Sequence, residues 1–185
     1  MSRFVSFVGA QICWWACVLL ADTSFRAAGV VATVVWVALH VLRSPRPRLD
    51  LGLAIAATLI GVVVDSGLVA VDAIAFPSSV RLGPLPTPLW MVALWTGFST
   101  MLDATLRPVV AVWWRAALFG LVGGPLSYLG GARLGPITIG PASDPGPALV
   151  AIGVAWALAM IALSALHRRL TRDEVTVVTG GAAGG

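Results

Sequence analysis

Apolar residues run along this chain in six windows, at about 4–21, 27–42, 51–74, 88–106, 113–132 and 147–166, each bounded by Arg, Pro or Asp. None of the six alternates with the period of two that marks a half-buried strand, and most are apolar on every face. A helix of roughly 20 such residues spans a bilayer core. The pattern therefore predicts an all-α, polytopic integral membrane protein of six transmembrane helices. The predicted domain covers 1–170, and 171–185 is expected to be a flexible cytoplasmic tail, since it ends in GGAAGG and has no apolar face. Arg3 ahead of the first window imitates a signal peptide, but the run is long and lacks a small-x-small cleavage pattern, so it is kept as a helix. Pro125 in the fifth window removes a backbone donor, and a kink or break is expected there.

Composition sharpens this picture. Apolar residues make up 58% of the chain and charged residues 11%, with mean hydropathy +0.94, which leaves too little polar surface for a water-soluble domain. The net charge is +4, and all twelve basic residues are Arg. With the N-terminus on one side, nine of them (Arg3, Arg43, Arg46, Arg48, Arg107, Arg115, Arg168, Arg169 and Arg172) share that side, while Arg26, Arg81 and Arg133 lie opposite. That bias places both termini in the cytoplasm. The basic residues are thus a topological signal and a contact for membrane lipids, and no nucleic-acid partner is expected. Cys13 and Cys17 are four apart on one helical face and read as packing.

Ionisable groups inside apolar windows are the candidate chemistry, because each costs roughly 2.5–3.5 kcal/mol at mid-helix and needs a partner or a task. Asp65 and Asp72 share a face of the third helix, at roughly 21 and 32 Å from its inner end. Tyr128 and Arg133 of the fifth helix fall at roughly 22 and 30 Å. An outer-half cluster of Asp65, Asp72, Tyr128 and Arg133 is therefore a candidate ligand site. A second, inner-half set joins Gln11, His40, Thr100, Asp103 and Arg107 as a polar network or a headgroup pocket; Asp103 and Arg107 also suit an i, i+4 pair. Gly120, Gly124, Ser127 and Gly131, with Pro125, give a small-residue stripe for close helix contact or a hinge. Gly120–Gly124 spacing also leaves a homodimer open. No zinc-binding HExxH, two-histidine metal set, Ser-His-Asp arrangement or phosphate-cradling GxxxxGK[ST] is present, so neither a metal nor another cofactor is expected.

Four segments, LHVLRSPRP at 39–47, GVVVDS at 61–66, PLWMVALWTGFSTML at 88–102 and GGPLSYLGGARLG at 123–135, resemble an uncharacterised family of small bacterial inner-membrane proteins, a domain of unknown function. The resemblance runs from about Phe4 to the sixth window. It implies a polytopic membrane protein without an established activity, in a lipid-metabolic setting, since members are associated with genes for cyclopropane-type fatty-acid modification. The Asn-His pair that the resemblance places near the end of the fourth helix is Asp103-Ala104 here, which argues against an essential histidine at that position.

Three functions fit these residues. The leading one is an accessory or lipid-binding component of lipid or envelope metabolism, with membrane lipids and a lipid-modifying enzyme as partners. The alternative is a small proton-coupled permease, dimeric because six short spans without repeats make no pathway alone. The third is an intramembrane lipid-modifying enzyme with Asp65 and Tyr128 as acid and base.

Overall fold

A computed structural model describes residues 2–77, 84–141 and 143–182, with side chains to Arg172. Arg81, counted above with the outer basic residues, lies outside the described residues. Among the described residues, seven helices and two very short strands follow one another: α1 (Arg3–Leu20), α2 (Arg26–Leu42), α3 (Pro47–Ala70), β1 (Ile74–Ala75), α4 (Leu89–Ser99), α5 (Arg107–Val110), α6 (Trp113–Leu134), β2 (Thr138–Ile139) and α7 (Gly146–Ala182). The helix carrying the sixth window thus continues past 170, where the domain was expected to end.

Among the described residues, three helical stretches are long and apolar enough to cross a membrane, Arg3–Leu20, Pro47–Ala70 and Gly146–Arg172. The 22-residue α6 has the length, but five glycines, Pro125, Ser127 and two arginines dilute its hydropathy. Polar side chains are turned inward, with Asp65, Thr33, Thr87 and Ser164 fully buried, while Val31, Leu59, Val63, Leu126 and Val150 are exposed. This is the distribution expected of a protein whose surroundings are apolar.

The fourth window departs from expectation. Its helix stops at Ser99 after 11 residues, about 16 Å of rise, and does not reach Leu106. From there the chain tightens into i→i+3 turns: the amides of Thr100, Met101 and Leu102 bond the carbonyls of Gly97, Phe98 and Ser99. The hydroxyls of Ser99 and Thr100 bond back to the carbonyls of Thr96 (2.6 Å) and Gly97 (2.8 Å), offering those acceptors an alternative to the helical ladder. The segment nevertheless runs the length of α3. Thr87 meets Ser66 (3.0 Å), Thr96 meets Thr58 (2.7 Å), and Asp103 reaches Arg46 ahead of the first turn of α3.

At Pro125 the expected break is absent: α6 is continuous from Trp113 to Leu134. The ring packs towards α7, where a Cβ on Gly153 would stand 3.4 Å from Pro125 Cγ. The small-residue stripe works as packing inside the chain. A Cβ at Gly120 would meet the Trp156 carbonyl oxygen at 2.4 Å, and one at Gly124 the Trp156 ring, so α7 covers this face. Beyond α3 the chain turns at Asp72, whose φ of 55° is one that Asp tolerates better than most residues. The loop at 134–146 contains β2, which pairs antiparallel with β1 (Ile74 with Ile139, Ala75 with Thr138). Gly140, at φ 44°, donates to the Ala73 carbonyl and closes this clasp between the ends of α3 and α6.

Gly61 gives a direct test of the packing, because a Cβ there would fall 2.1 Å from Trp95. Gly61→Ala is expected to displace the indole and cost about 1–3 kcal/mol, read as a lower melting temperature of the detergent-solubilised protein. Gly67→Ala, where no atom lies within 4 Å of the added Cβ, serves as the neutral control; equal melting temperatures for the two variants would refute the packing.

Candidate functional site

Two polar centres form, one among the helices around Asp65 and one where the starts of α1 and α3 meet the ends of α2 and α4. The inner centre is built on Asp65, in the last third of α3 and fully buried. Trp95 of α4 donates its indole N–H to Oδ2 at 2.9 Å, and Tyr128 of α6 donates its hydroxyl to Oδ1. Trp95 stacks on Trp156 of α7 with ring centroids 4.3 Å apart, and Tyr128 meets Trp156 edge-on at 6.3 Å. One carboxylate thereby fastens α3 to α4 and α6, and the aromatic stack extends the tie to α7. Trp14 of α1 joins at the side, its indole donating to Ser127 (3.1 Å). Beside this tie is a cavity of about 70 Å³ lined by Trp14, Trp90, Phe98 and Ser127 among others.

Of the four residues expected in an outer-half site, the structure joins Asp65 with Tyr128. Asp72 sits exposed in the turn after α3, and Arg133 is exposed near the end of α6; neither reaches the pair. The part Trp95 plays in this centre was not foreseen. The signal for Trp95 was Gly61, one turn before Asp65 on the same face of α3, which opens the space the indole fills. Trp90 is buried against Phe76 (5.7 Å).

The second centre is organised by Asp103, in the turn beyond α4. Oδ1 is 2.8 Å from His167 Nε2 of α7, Oδ2 accepts from Arg46 ahead of α3, and Arg107 of α5 reaches both oxygens at 3.2 Å. Burial works against the charge of Asp103, but hydrogen bonds from His167 and Arg46 and the positive charge of Arg46 outweigh it and hold the carboxyl below its ordinary pKa. Nearby, His40 Nε2 of α2 lies 3.5 Å from Asp50 Oδ2 of α3. Arg3, His40, Arg46, Asp50, Asp103 and Arg107 line a cavity of about 190 Å³. The Thr105 hydroxyl bonds the Arg3 carbonyl (2.9 Å), which fixes the start of α1 at this end.

From the expected inner-half set, His40, Asp103 and Arg107 come together here, and the i, i+4 pair forms even though α4 has ended before it. Thr100 is spent on Trp36 (3.2 Å), and Gln11 is exposed on α1, away from the cluster. Arg46, Asp50 and His167 were not foreseen as members. Arg46 and His167 lie 57 and 64 residues from Asp103, and no local spacing signals such contacts.

Loss of the inner tie has a defined cost. Asp65→Ala strands two buried donors, the Tyr128 hydroxyl and the Trp95 indole, each worth about 1–3 kcal/mol. Membrane abundance and melting temperature should both fall. Asp65→Asn, which keeps an acceptor, should fall less, and Asp65→Ala with Tyr128→Phe should recover part of the loss by removing one stranded donor. Wild-type abundance and stability in Asp65→Ala would exclude the structural role.

Nothing among the curated proteins matches this sequence, and no solved structure matches it. A family model does match, described as a protein of unknown function (DUF2878), over residues 3–162. That span ends at the seventeenth of α7's 37 residues, so it takes in both polar centres except His167. The chain belongs to this uncharacterised family.

Proposed function

We propose that the chain is a six-pass protein of a bacterial cytoplasmic membrane, with both termini in the cytoplasm, that binds a lipid and serves as an accessory component of lipid or envelope metabolism. The crossings on this reading are α1, α2, α3, the segment 88–102, α6 and α7. The Arg asymmetry supports the orientation, and Arg3, Arg46, Arg107, Arg168 and Arg172 of the richer set line adjoining cavities at one end.

The observation that carries the lipid reading is an apolar groove between α3 and α7, about 680 Å³, with Val63, Gly67 and Val71 on one wall and Ala151, Ala155 and Ala162 on the other. That volume falls within the range of small-molecule sites. Gly67 and the alanines form the recess, and the exposed side chains of Leu59, Val63, Val71 and Leu158 stand around it. In a bilayer the medium that fills an apolar recess is an acyl chain, so the occupant is the chain of a lipid held between α3 and α7. The permease reading is less favoured by the geometry, because it needs Asp65 free to exchange protons and both of its oxygens are held.

Gly67→Phe tests this reading without straining the fold, since open space surrounds the position. Whole-lipid mass spectrometry should compare wild type, a gene deletion, and the deletion rescued by Gly67→Phe at equal abundance. A lipid class altered by deletion should be restored by wild type and not by Gly67→Phe. A deletion strain with an unchanged lipid profile would end the lipid-metabolic reading, and loss of a crosslinkable dimer in Gly67→Phe would assign the groove to a second copy of the chain.

A further inference from the structure

We infer that the cavity organised by Asp103 is a binding site for a phosphate group, separate from the α3–α7 groove and independent of it. Three guanidinium groups, Arg3, Arg46 and Arg107, line this cavity together with only two carboxylates, Asp50 and Asp103. An adjoining cavity shares Arg46 and Arg107 and adds Arg168 and Arg172, which makes five arginines against the same two acids among the described residues. The acids are also committed: Asp50 faces His40, and Asp103 holds Arg46, Arg107 and His167. Positive charge is therefore in excess where an anion would sit.

Geometry favours phosphate over a carboxylate. Arg107 engages Asp103 through Nε and Nη2, and Arg46 through Nη2 alone. Each guanidinium carries five N–H donors, so both keep donors for a ligand while Asp103 holds their orientation. The three arginines come from separate parts of the chain, the start of α1, the turn before α3 and α5. A planar carboxylate is satisfied by one such fork, whereas a tetrahedral phosphate accepts from several directions. His40 adds a polar wall: it is 4% exposed, and its Nδ1 has no hydrogen-bond partner. The phosphate belongs either to a lipid headgroup or to a free, water-soluble anion.

The experiment uses the full-length protein in two arms. In the first, the protein is reconstituted in nanodiscs of equimolar phosphatidylcholine and phosphatidic acid, and the lipids it retains on release are quantified by native mass spectrometry. In the second, inorganic phosphate is titrated against the protein in phosphatidylcholine nanodiscs, with thermal stability as the readout. Retained phosphatidic acid without a phosphate-induced shift assigns the site to a headgroup, and the converse result assigns it to a soluble anion. In whichever arm responds, Arg3→Gln should weaken binding by about tenfold, the loss of one charge-assisted hydrogen bond. It should leave stability alone, because Arg3 meets Thr105 through its backbone carbonyl. Arg3→Gln combined with Arg107→Gln should abolish binding, and Arg26→Gln, exposed at the start of α2, should not change it. Absence of binding in both arms, or equal binding by Arg3→Gln and wild type, overturns the inference.

Discussion

A carboxylate placed in an apolar interior must have its oxygens occupied, and the arrangement of four helices follows from how Asp65 meets that demand. Its two acceptors draw in the Trp95 indole from α4 and the Tyr128 hydroxyl from α6, and the Trp95–Trp156 stack brings α7 with them. Size complementarity then does what charge does not. Gly61 makes room for Trp95, and Gly120 and Gly124 let Trp156 and its backbone approach α6. Dispersion between packed helices is weak per atom and large in sum, so these close approaches hold what the hydrogen bonds orient.

Asp103 plays a contrasting part. It also gathers partners from distant segments, but it does so beside an open cavity, and Arg46 and Arg107 retain donors that it does not use. The early end of α4 makes this possible. Had the helix continued to Leu106, Asp103 would be confined to one helical face, whereas the i→i+3 turns after Ser99 leave it reaching α3, α5 and α7 together. A polar run that spoils a helix thus assembles a cluster.

Much of this was legible in the residues. Rise per residue gave Asp65 and Tyr128 matching depths, and they meet. The same arithmetic matched Asp72 with Arg133, and they stay apart, because depth along a helix says nothing of direction around it and both lie where their helices give way to turns. The Gly120–Gly124 stripe was read as a close helix contact, though its partner, α7, was not identifiable. Hydropathy marked the fourth window as a full helix; the hydroxyls of Ser99 and Thr100 have lower-energy uses for nearby carbonyls, which a window average does not register. The Asp103 contacts with Arg46 and His167 span too many residues for any local pattern.

The tie at Asp65 also bears on the order of synthesis. Its two partners lie 30 and 63 residues downstream. On the six-crossing reading, α3 reaches the insertion machinery with a bare carboxylate, gains one donor when α4 arrives and the second only when α6 does. The β1–β2 clasp waits equally long, since Ile74 pairs with Ile139. The nascent chain must therefore be carried through a half-satisfied stage, and quality control that senses an exposed carboxylate within the bilayer would see the unfinished protein and pass the finished one.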